Sequence, residues 1–255
     1  MGQVICVISL KGGVGKTTTS VNLAAAISNM KKKTLLVDCD PQGSATTGIG
    51  IDKKKLTKTI HDVLVGKSSV EECIIPNYIA YLDVIPARGE LFQAELKLMG
   101  VPNKGKILKN ILSSIKEKYE FIIIDTPPSL GLISINTIVA ADSLLIPLQC
   151  EFLAYESLIQ LLKFIQFIRK RLNPDLKLGG ILLTMYDRGE KISEEIVQNA
   201  RNRLKKVLCK TVIPRSVNLR ESAIKGHPLV ISNPSLESSK CYIELANEII
   251  AKNKV

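Results

Sequence analysis

The feature that most constrains this chain is a glycine-rich segment near its start. Residues 4–9 form a short apolar run that predicts a strand, and residues 17–30 have the periodicity of a helix with small residues for close packing. Between them, Gly12, Gly13 and Gly15 carry no side chains that could stop backbone amides from turning toward a phosphate group. A strand, a glycine-rich turn and a helix in this order predict a phosphate-binding loop.

Two side chains at the start of the predicted helix extend this site. In the pattern G-x-x-x-x-G-K-[ST], the lysine reaches the β- and γ-phosphates and the hydroxyl binds Mg²⁺, which assigns these roles to Lys16 and Thr17. The first glycine of the pattern is replaced by Leu10, and a second lysine, Lys11, follows it. The predicted nucleotide-binding loop consists of Lys11, Gly12, Gly13, Val14, Gly15, Lys16, Thr17 and Thr18.

Three aspartates follow two further predicted strands. Asp38 and Asp40 come after residues 34–37, and Asp125 comes after the apolar residues 121–124. A carboxylate beside a triphosphate is repelled unless a metal ion or a water molecule lies between them. We therefore expect Asp40 to orient the attacking water, Asp125 to hold Mg²⁺ through water, and Asp38 to make outer contacts near Mg²⁺ and Lys16.

The alternation of strands and helices along the chain predicts the fold class. Strands that are apolar on both faces indicate a mainly parallel, twisted α/β sheet with helices on both faces. We expect one P-loop domain over residues 1–255, with loops at 172–180 and 213–235 and helices at 104–117, 153–172 and 236–251. Ligands bind beyond the carboxyl ends of such strands, where the glycine-rich loop and the aspartates meet.

Composition limits the cellular compartment and the class of binding partner that can be expected. The formal net charge is +11, which fits either a solvated lysine-rich surface or a polyanionic partner. The six cysteines lack any C-x-x-C spacing and are expected to be reduced thiols. No apolar run is long enough to span a bilayer, and the N-terminus lacks the features of a secretory signal, so a cytoplasmic protein is expected.

The double-lysine loop identifies a known family. The segment from Lys11 to Thr17 resembles the deviant Walker A loop of the ParA/MinD P-loop ATPases. The resemblance covers nearly the whole chain and is closest to the bacterial Soj/ParA partition ATPases, through residues 37–43, 127–131, 147–151 and 211–215. It implies a Mg²⁺-dependent ATPase that forms an ATP-bound homodimer, with Lys11 reaching the partner's nucleotide and Lys11, Lys16 and Asp40 as catalytic residues.

The same resemblance implies partners and further contacts. The ATP-bound dimer would coat double-stranded DNA non-specifically on the nucleoid, and a centromere-binding ParB-type protein would stimulate hydrolysis. Pro214 and Ser216 match positions near the base, although the family usually has asparagine at the second position. Arg188 and Arg220 are displaced by a position or two from the family's DNA-contacting arginines. The DNA-binding candidates are Arg188, Arg215, Arg220, Lys225 and Lys240.

The sequence gives weaker support to several alternative functions. A MinD-type ATPase acting at the membrane would need a basic amphipathic helix at its end, and residues 252–255 offer no such extension. An iron–sulfur carrier would need clustered cysteines. A binding module without turnover would be supported by the loss of Asp40 or Asp125, and both are present. The motifs alone leave a small-molecule kinase or synthetase open. No helix-turn-helix segment precedes the loop, so sequence-specific DNA reading is not expected.

Overall fold

One eight-stranded sheet organises the chain. The computed structural model describes residues 2–151 and 154–253. The strand order is β3-β4-β2-β5-β1-β6-β7-β8, and all neighbours are parallel except β3, which runs antiparallel to β4 at the edge. The strands are β1 (Gln3–Val7), β2 (Thr34–Asp38), β3 (Ile75–Ile79), β4 (Leu82–Ile85), β5 (Phe121–Asp125), β6 (Ser143–Gln149), β7 (Lys177–Tyr186) and β8 (Leu208–Pro214).

Helices cover both faces of this sheet. One face packs against α3 to α8, and the other packs against α1, α2 and α9 to α11. The helices are α1 (Lys16–Asn29), α2 (Ser44–Gly48), α3 (Ile60–Leu64), α4 (Leu91–Leu98), α5 (Ile107–Ser113), α6 (Leu132–Ala140), α7 (Ala154–Arg171), α8 (Lys191–Leu204), α9 (Val217–Lys225), α10 (Leu229–Ser232) and α11 (Glu237–Asn253).

The central strands are buried because alternate side chains enter two separate cores. In β1, Val4 and Cys6 belong to one hydrophobic cluster, whereas Ile5 and Val7 belong to the cluster on the opposite face. This is the burial expected of a parallel strand covered on both sides. The predicted fold class is therefore confirmed. The predicted domain bounds of 1–255 stay a prediction.

Several predicted element boundaries were wrong. Residues 213–235 contain α9 and α10 rather than the predicted loop. The sequence did not indicate α9 because this helix buries only Leu219 and Ser222 and so lacks a clear apolar period. The predicted loop 172–180 contains the start of β7. The predicted helix 104–117 is broken into α5 and two flanking 3₁₀ turns.

Four further elements were not predicted, namely the short helices α2 and α3, strand β3 and helix α6. Strand β3 contains Pro76 and pairs with a register shift, which is tolerated because β3 lies at the edge of the sheet. Helix α6 follows the second aspartate segment. The predicted helix start at residue 153 and the chain end at 254–255 lie outside the described residues. Within the described part of the chain, no helix is long and apolar enough to cross a membrane.

Candidate nucleotide site

The register of the sheet brings the predicted site segments together. In the pairing of β2 with β5, Asp38 stands opposite Asp125, and in the pairing of β1 with β5, Val7 stands opposite Asp125. The glycine-rich loop begins at Lys11, four residues after the end of β1. Three carboxyl ends of neighbouring parallel strands therefore meet at one edge of the sheet, as the sequence predicted.

The backbone of the loop requires glycine at two positions. Gly13 has a φ of 75° and Gly15 a φ of 88°, and both values lie in the left-handed region. Gly15 immediately precedes α1, so its conformation sets the direction in which the first amides of the helix point. The buried hydroxyl of Thr184 in β7 donates to the Val14 carbonyl at 2.9 Å. This bond fixes the loop to the sheet, and no motif in the sequence indicated it.

Lys16 is buried where the loop meets α1. Only 7% of the residue is exposed, and its Nζ donates to the Lys11 carbonyl at 3.1 Å. Burial lowers the pKa of Lys16, whereas the charges of Asp125 and Asp40 act to raise it. A nearby anion would offset the cost of burying this ammonium group. The position of Lys16 therefore suits it to bind the phosphates of a nucleotide.

Asp125 is fully buried below the loop and is held by two hydroxyl groups. Thr17 donates to it at 2.9 Å and Ser20 at 2.8 Å. Burial raises the pKa of Asp125, and the neighbouring Asp38 raises it further. Burial disfavours the ionised form of this carboxyl group, and a nearby cation would stabilise that form. The surroundings of Asp125 therefore fit a metal site.

Asp38 is also fully buried, and its oxygens are already engaged. The hydroxyl and the amide of Thr46 donate to one oxygen at 2.7 and 2.8 Å, and the Asp40 amide donates to the other at 3.1 Å. Burial raises the pKa of Asp38 as well. Asp38 therefore orders the start of the following loop from beside Asp125, and Thr46 is a supporting residue that the sequence did not indicate.

The donor set fits Mg²⁺ bound together with phosphates. The described residues contain no group of three or more histidine, cysteine or acidic side chains that could hold a metal ion. Thr17 and Asp125 instead offer a hydroxyl and a carboxylate that lie 2.9 Å apart. Mg²⁺ prefers oxygen ligands and is usually held by one or two carboxylates plus substrate phosphates rather than by an all-protein cage.

Replacing Asp125 by Asn is expected to stabilise the nucleotide-free protein at pH 8. The folded chain holds the Asp125 proton more tightly than the unfolded chain, so the free energy of unfolding falls as pH rises from about 4 toward the raised pKa. Asn removes this cost, and its amide can donate to either hydroxyl. We expect a gain of about 1 kcal/mol, or roughly 2–4 °C in melting temperature.

Thermal melts at pH 8 and near pH 4 test this expectation without nucleotide or Mg²⁺. The gain should shrink at the lower pH, where the wild-type carboxyl is protonated. Asp175→Asn is the matched control, because Asp175 is exposed and its replacement should leave the melting temperature unchanged at both pH values. If Asp125→Asn melted at a lower temperature than wild type at pH 8, the ionised carboxylate would not be lowering the free energy of unfolding, and the prediction would be wrong.

Asp40 lies on the loop after β2 and is positioned by backbone contacts. It is 7% exposed, and its Oδ1 accepts a hydrogen bond from the Gln42 amide at 2.8 Å. The Lys53 ammonium donates to the Gln42 carbonyl at 2.8 Å, so the same peptide segment is held from its other side. Lys53 is a further supporting residue that sequence reasoning missed.

Lys11 lies at the rim of the site rather than inside it. Its Nζ donates to Glu151 at 2.7 Å and to the Gln149 side chain at 3.4 Å. The side chains of Lys11 and Glu151 are 38% and 47% exposed, and ion pairs this exposed contribute little stability. Lys11 is therefore free to exchange this partner for another anion at modest cost.

A cavity of about 250 Å³ lies beside the loop. Its walls include Gly15 and Thr18 from the loop side, and Met185 at the end of β7, whose φ of 56° is unusual for a residue with a side chain. The predicted base contacts Pro214 and Ser216 also line it, and the Ser216 hydroxyl accepts from Ser238 at 3.3 Å. The cavity therefore joins the C-terminal part of the loop to the segment after β8.

The five DNA-binding candidates lie near the same edge of the sheet, in different surroundings. Arg215 and Arg220 line the cavity beside the loop. Arg188 forms an ion pair with Glu237 at the start of α11, and Lys225 lies 3.6 Å from Glu221 within α9. Lys240 is exposed on α11. Arg188 and Lys225 would have to exchange an acidic partner for a phosphate group.

Known proteins resemble this chain over nearly its full length. The family model described as AAA domain matches residues 2–178. The sporulation initiation inhibitor protein Soj of Bacillus subtilis is 42% identical over 251 residues, which is 98% of this chain and 99% of that protein. The chromosome partitioning protein ParA of Myxococcus xanthus is 41% identical over 253 residues, covering 99% and 89% of the two chains.

A solved structure that contains a bound nucleotide also resembles this chain. The cobyrinic acid a,c-diamide synthase of Mycobacterium smegmatis, with bound ADP and magnesium, matches with a TM-score of 0.85 and 32% identity. The match covers 97% of this chain and 93% of that protein. The fold of this chain therefore resembles that of a protein whose structure contains ADP and magnesium.

Proposed function

This chain belongs to the ParA and Soj family of partition ATPases, and from that premise we propose that it is an ATP-dependent DNA partition ATPase. One observation of the site carries the proposal. The register of β2 with β5 sets Asp38 beside Asp125, and Asp125 accepts the hydroxyl of Thr17 at the start of the helix that follows the double-lysine loop. This arrangement supports a phosphate loop and a cation site at one edge of the sheet, beside Asp40 as the proposed water-orienting residue.

Each step of ATP hydrolysis is assigned to a residue of this site. We propose that the amides of the loop and Lys16 bind the β- and γ-phosphates, and that Asp40 orients the attacking water. Mg²⁺, held by Thr17 and through water by Asp125, would neutralise the charge that develops on the transferred phosphate. Asp38 would preserve the arrangement through Asp40 and Thr46, and the cavity with Pro214 and Ser216 would receive adenine.

The partners follow from the family rather than from a contact in this chain. We propose that ATP joins two copies into a dimer, with Lys11 contacting the nucleotide of the partner subunit. The dimer would bind double-stranded DNA without sequence preference through some of Arg188, Arg215, Arg220, Lys225 and Lys240, on the nucleoid in the cytoplasm of a bacterium. A ParB-type centromere-binding protein would then stimulate hydrolysis and release the DNA.

Two other functions have weaker support. The partition proteins are 41–42% identical to this chain, whereas the synthase is 32% identical. A MinD-type role at the membrane has no better support, since no observation in the described residues favours a lipid-binding surface. Partition is therefore the function that the family and the site support together.

ATP turnover by the purified protein tests this proposal. The protein should release phosphate from ATP with Mg²⁺ and much more slowly with EDTA, and non-specific duplex DNA with a ParB-type partner should raise the rate. The absence of ATP turnover with Mg²⁺, DNA and partner all present would contradict it. Turnover that instead required a small-molecule acceptor would favour the synthetase class.

Lys11→Ala is expected to bind ATP nearly as well as wild type and to lose ATPase activity. Lys11 lies at the rim and pairs with Glu151 of its own chain, so its loss leaves the buried Lys16 and the loop amides in place. Direct nucleotide titration should show a change of less than about threefold, while turnover falls by about tenfold or more. If Lys11→Ala hydrolysed ATP at the wild-type rate, Lys11 would not act on the nucleotide of the partner subunit.

Glu151→Gln is the matched control for this variant. It removes the same ion pair from the other side and leaves the Lys11 ammonium present. Because exposed pairs of this kind contribute little, stability should change by less than about 1 kcal/mol. Turnover should be retained, and a loss equal to that of Lys11→Ala would assign the effect to the ion pair instead of to the lysine.

A further inference from the structure

The carboxylate of Asp40 is fixed by the backbone of the turn that it begins. The turn covers residues 40–43 and is closed by the Gly43 amide, which donates to the Asp40 carbonyl at 2.8 Å. Inside it, the Gln42 amide donates to Oδ1 of the Asp40 carboxylate at 2.8 Å. We call residues 40–43 the Asp40 turn. The direction of the Asp40 carboxylate therefore depends on how the Gln42 backbone is held.

Lys53 holds the Gln42 backbone from its other side. The Lys53 ammonium donates to the Gln42 carbonyl at 2.8 Å. Both backbone polar groups of Gln42 are thereby engaged, the amide with Asp40 and the carbonyl with Lys53. A rotation of the Gln42 backbone would strain or break these bonds, so the position of the Lys53 ammonium bears on the orientation of the Asp40 carboxylate.

The apolar stem of Lys53 packs against the same turn. Gly43 has a φ of 59°, in the left-handed region that glycine adopts readily. A Cβ atom added to Gly43 would lie 2.9 Å from Cδ of Lys53 and 2.6 Å from the carbonyl oxygen of Ala87. Lys53 therefore contacts the Asp40 turn through its carbon atoms as well as through its ammonium group, and glycine is what allows the stem to come so close.

The segment that carries Lys53 is anchored outside the Asp40 turn. Lys53–Lys55 form a 3₁₀ turn, and the Asp52 side chain caps it by accepting a backbone amide of the turn at 3.0 Å. Immediately after it, the Leu56 carbonyl accepts a hydrogen bond from Arg88 at 2.8 Å, which ties the segment to the residues that follow β4. Lys53 thus reaches the Asp40 turn from a support that is fixed independently of it.

Lys53 also faces the nucleotide site. A cavity of about 430 Å³ is lined by Gln42 and Lys53 and, at the start of α1, by Thr17 and Thr18. Lys53 is half-buried, whereas its two neighbours in the 3₁₀ turn are exposed. The three lysines therefore do not form one solvated run, because the first of them bends back to a carbonyl beside the proposed catalytic carboxylate.

We propose that Lys53 is a positioning residue for ATP hydrolysis, which holds Gln42 so that the Asp40 carboxylate is aligned with the attacking water. The inference rests on the proposed ATPase function and adds a residue that acts through another one. Since a misplacement of about 1 Å can lower a rate by roughly 100-fold, the loss of one of several restraints on the Asp40 turn is expected to lower kcat by about tenfold. The affinity for ATP depends on Lys16 and the loop amides and should not change.

The test compares three single variants in ATP turnover with Mg²⁺ and duplex DNA. Lys53→Met keeps an unbranched stem against Gly43 and removes the donor, so kcat should fall by about tenfold while KM and the dissociation constant for ATP stay within about twofold of wild type. Lys53→Arg can still donate to the Gln42 carbonyl and should keep kcat within about threefold of wild type. Lys54→Met is the matched control, because Lys54 is exposed in the same 3₁₀ turn and its replacement should leave kcat unchanged.

A double variant separates positioning from a general effect on folding. In the Asp40→Ala background, Lys53→Met should lower the single-turnover rate by less than about twofold, because both residues act through one carboxylate. Equal losses in both backgrounds, or wild-type kcat in Lys53→Met, would overturn the inference. Weaker ATP binding with an unchanged kcat would also overturn it, since Lys53 would then be a phosphate ligand. If wild type did not turn over ATP, the proposed function would fail with it, whereas turnover that Lys53→Met retains would sink this inference alone.

Discussion

Lys16→Ala is expected to weaken ATP binding by about 100-fold. Lys16 is the buried ammonium at the start of α1, and charge-assisted hydrogen bonds to phosphates contribute about 1.5–3 kcal/mol each. The loss of about 3 kcal/mol corresponds to roughly two orders of magnitude in affinity. Isothermal titration with ATP and Mg²⁺ measures it directly, and wild-type affinity in the variant would overturn the assignment of the site.

The same variant should fold normally. Burial lowers the pKa of Lys16, which means that the folded chain holds this charge at a cost that alanine removes. Its melting temperature without nucleotide should therefore be no lower than that of wild type. Lys32→Ala serves as the matched control, because Lys32 pairs with Glu120 away from the loop and should leave ATP affinity unchanged.

Asp40→Ala is expected to bind ATP, to dimerise and to lose hydrolysis. The carboxylate is assigned to the attacking water rather than to the phosphates, so nucleotide affinity should stay within about threefold of wild type while turnover falls by about 100-fold or more. Light scattering with ATP and Mg²⁺ should report a dimer. A monomer under these conditions would contradict the role given to Asp40.

Asp40→Asn separates charge from local structure in this experiment. Asparagine can still accept the Gln42 amide through its oxygen, so the loop that Lys53 also holds should keep its shape. The charge that orients and polarises the water is gone, and turnover should be as low as in the alanine variant. Wild-type turnover in Asp40→Asn would show that the hydrogen bond to Gln42 matters and the carboxylate does not.

The parts of the site that the sequence predicted share one physical origin. Gly13 and Gly15 have left-handed backbones that glycine adopts readily, and Asp38 and Asp125 directly end buried strands. Such features depend on residues that are adjacent in the chain, so a sequence pattern can express them. The parallel sheet then aligns the strand ends, which is why separate motifs predicted one site.

The supporting residues depend on contacts between distant parts of the chain. Thr184 holds the loop from a strand 170 positions away, and Lys53 reaches Gln42 from 11 positions away. A threonine in a strand and a lysine in a basic run have no distinctive local pattern. The same reason applies to α9, whose single buried leucine is too little for a helical period.

The most direct test of the account is the affinity of Asp40→Ala for duplex DNA of random sequence with ATP, with ADP and without nucleotide. At about 0.1 M salt we predict that ATP raises the affinity by about tenfold or more over ADP, because dimerisation joins two basic faces and doubles the phosphates contacted. The slope of log affinity against log salt should be correspondingly steeper with ATP. Equal affinity and equal slopes with ATP and ADP would contradict the link between nucleotide, dimer and DNA.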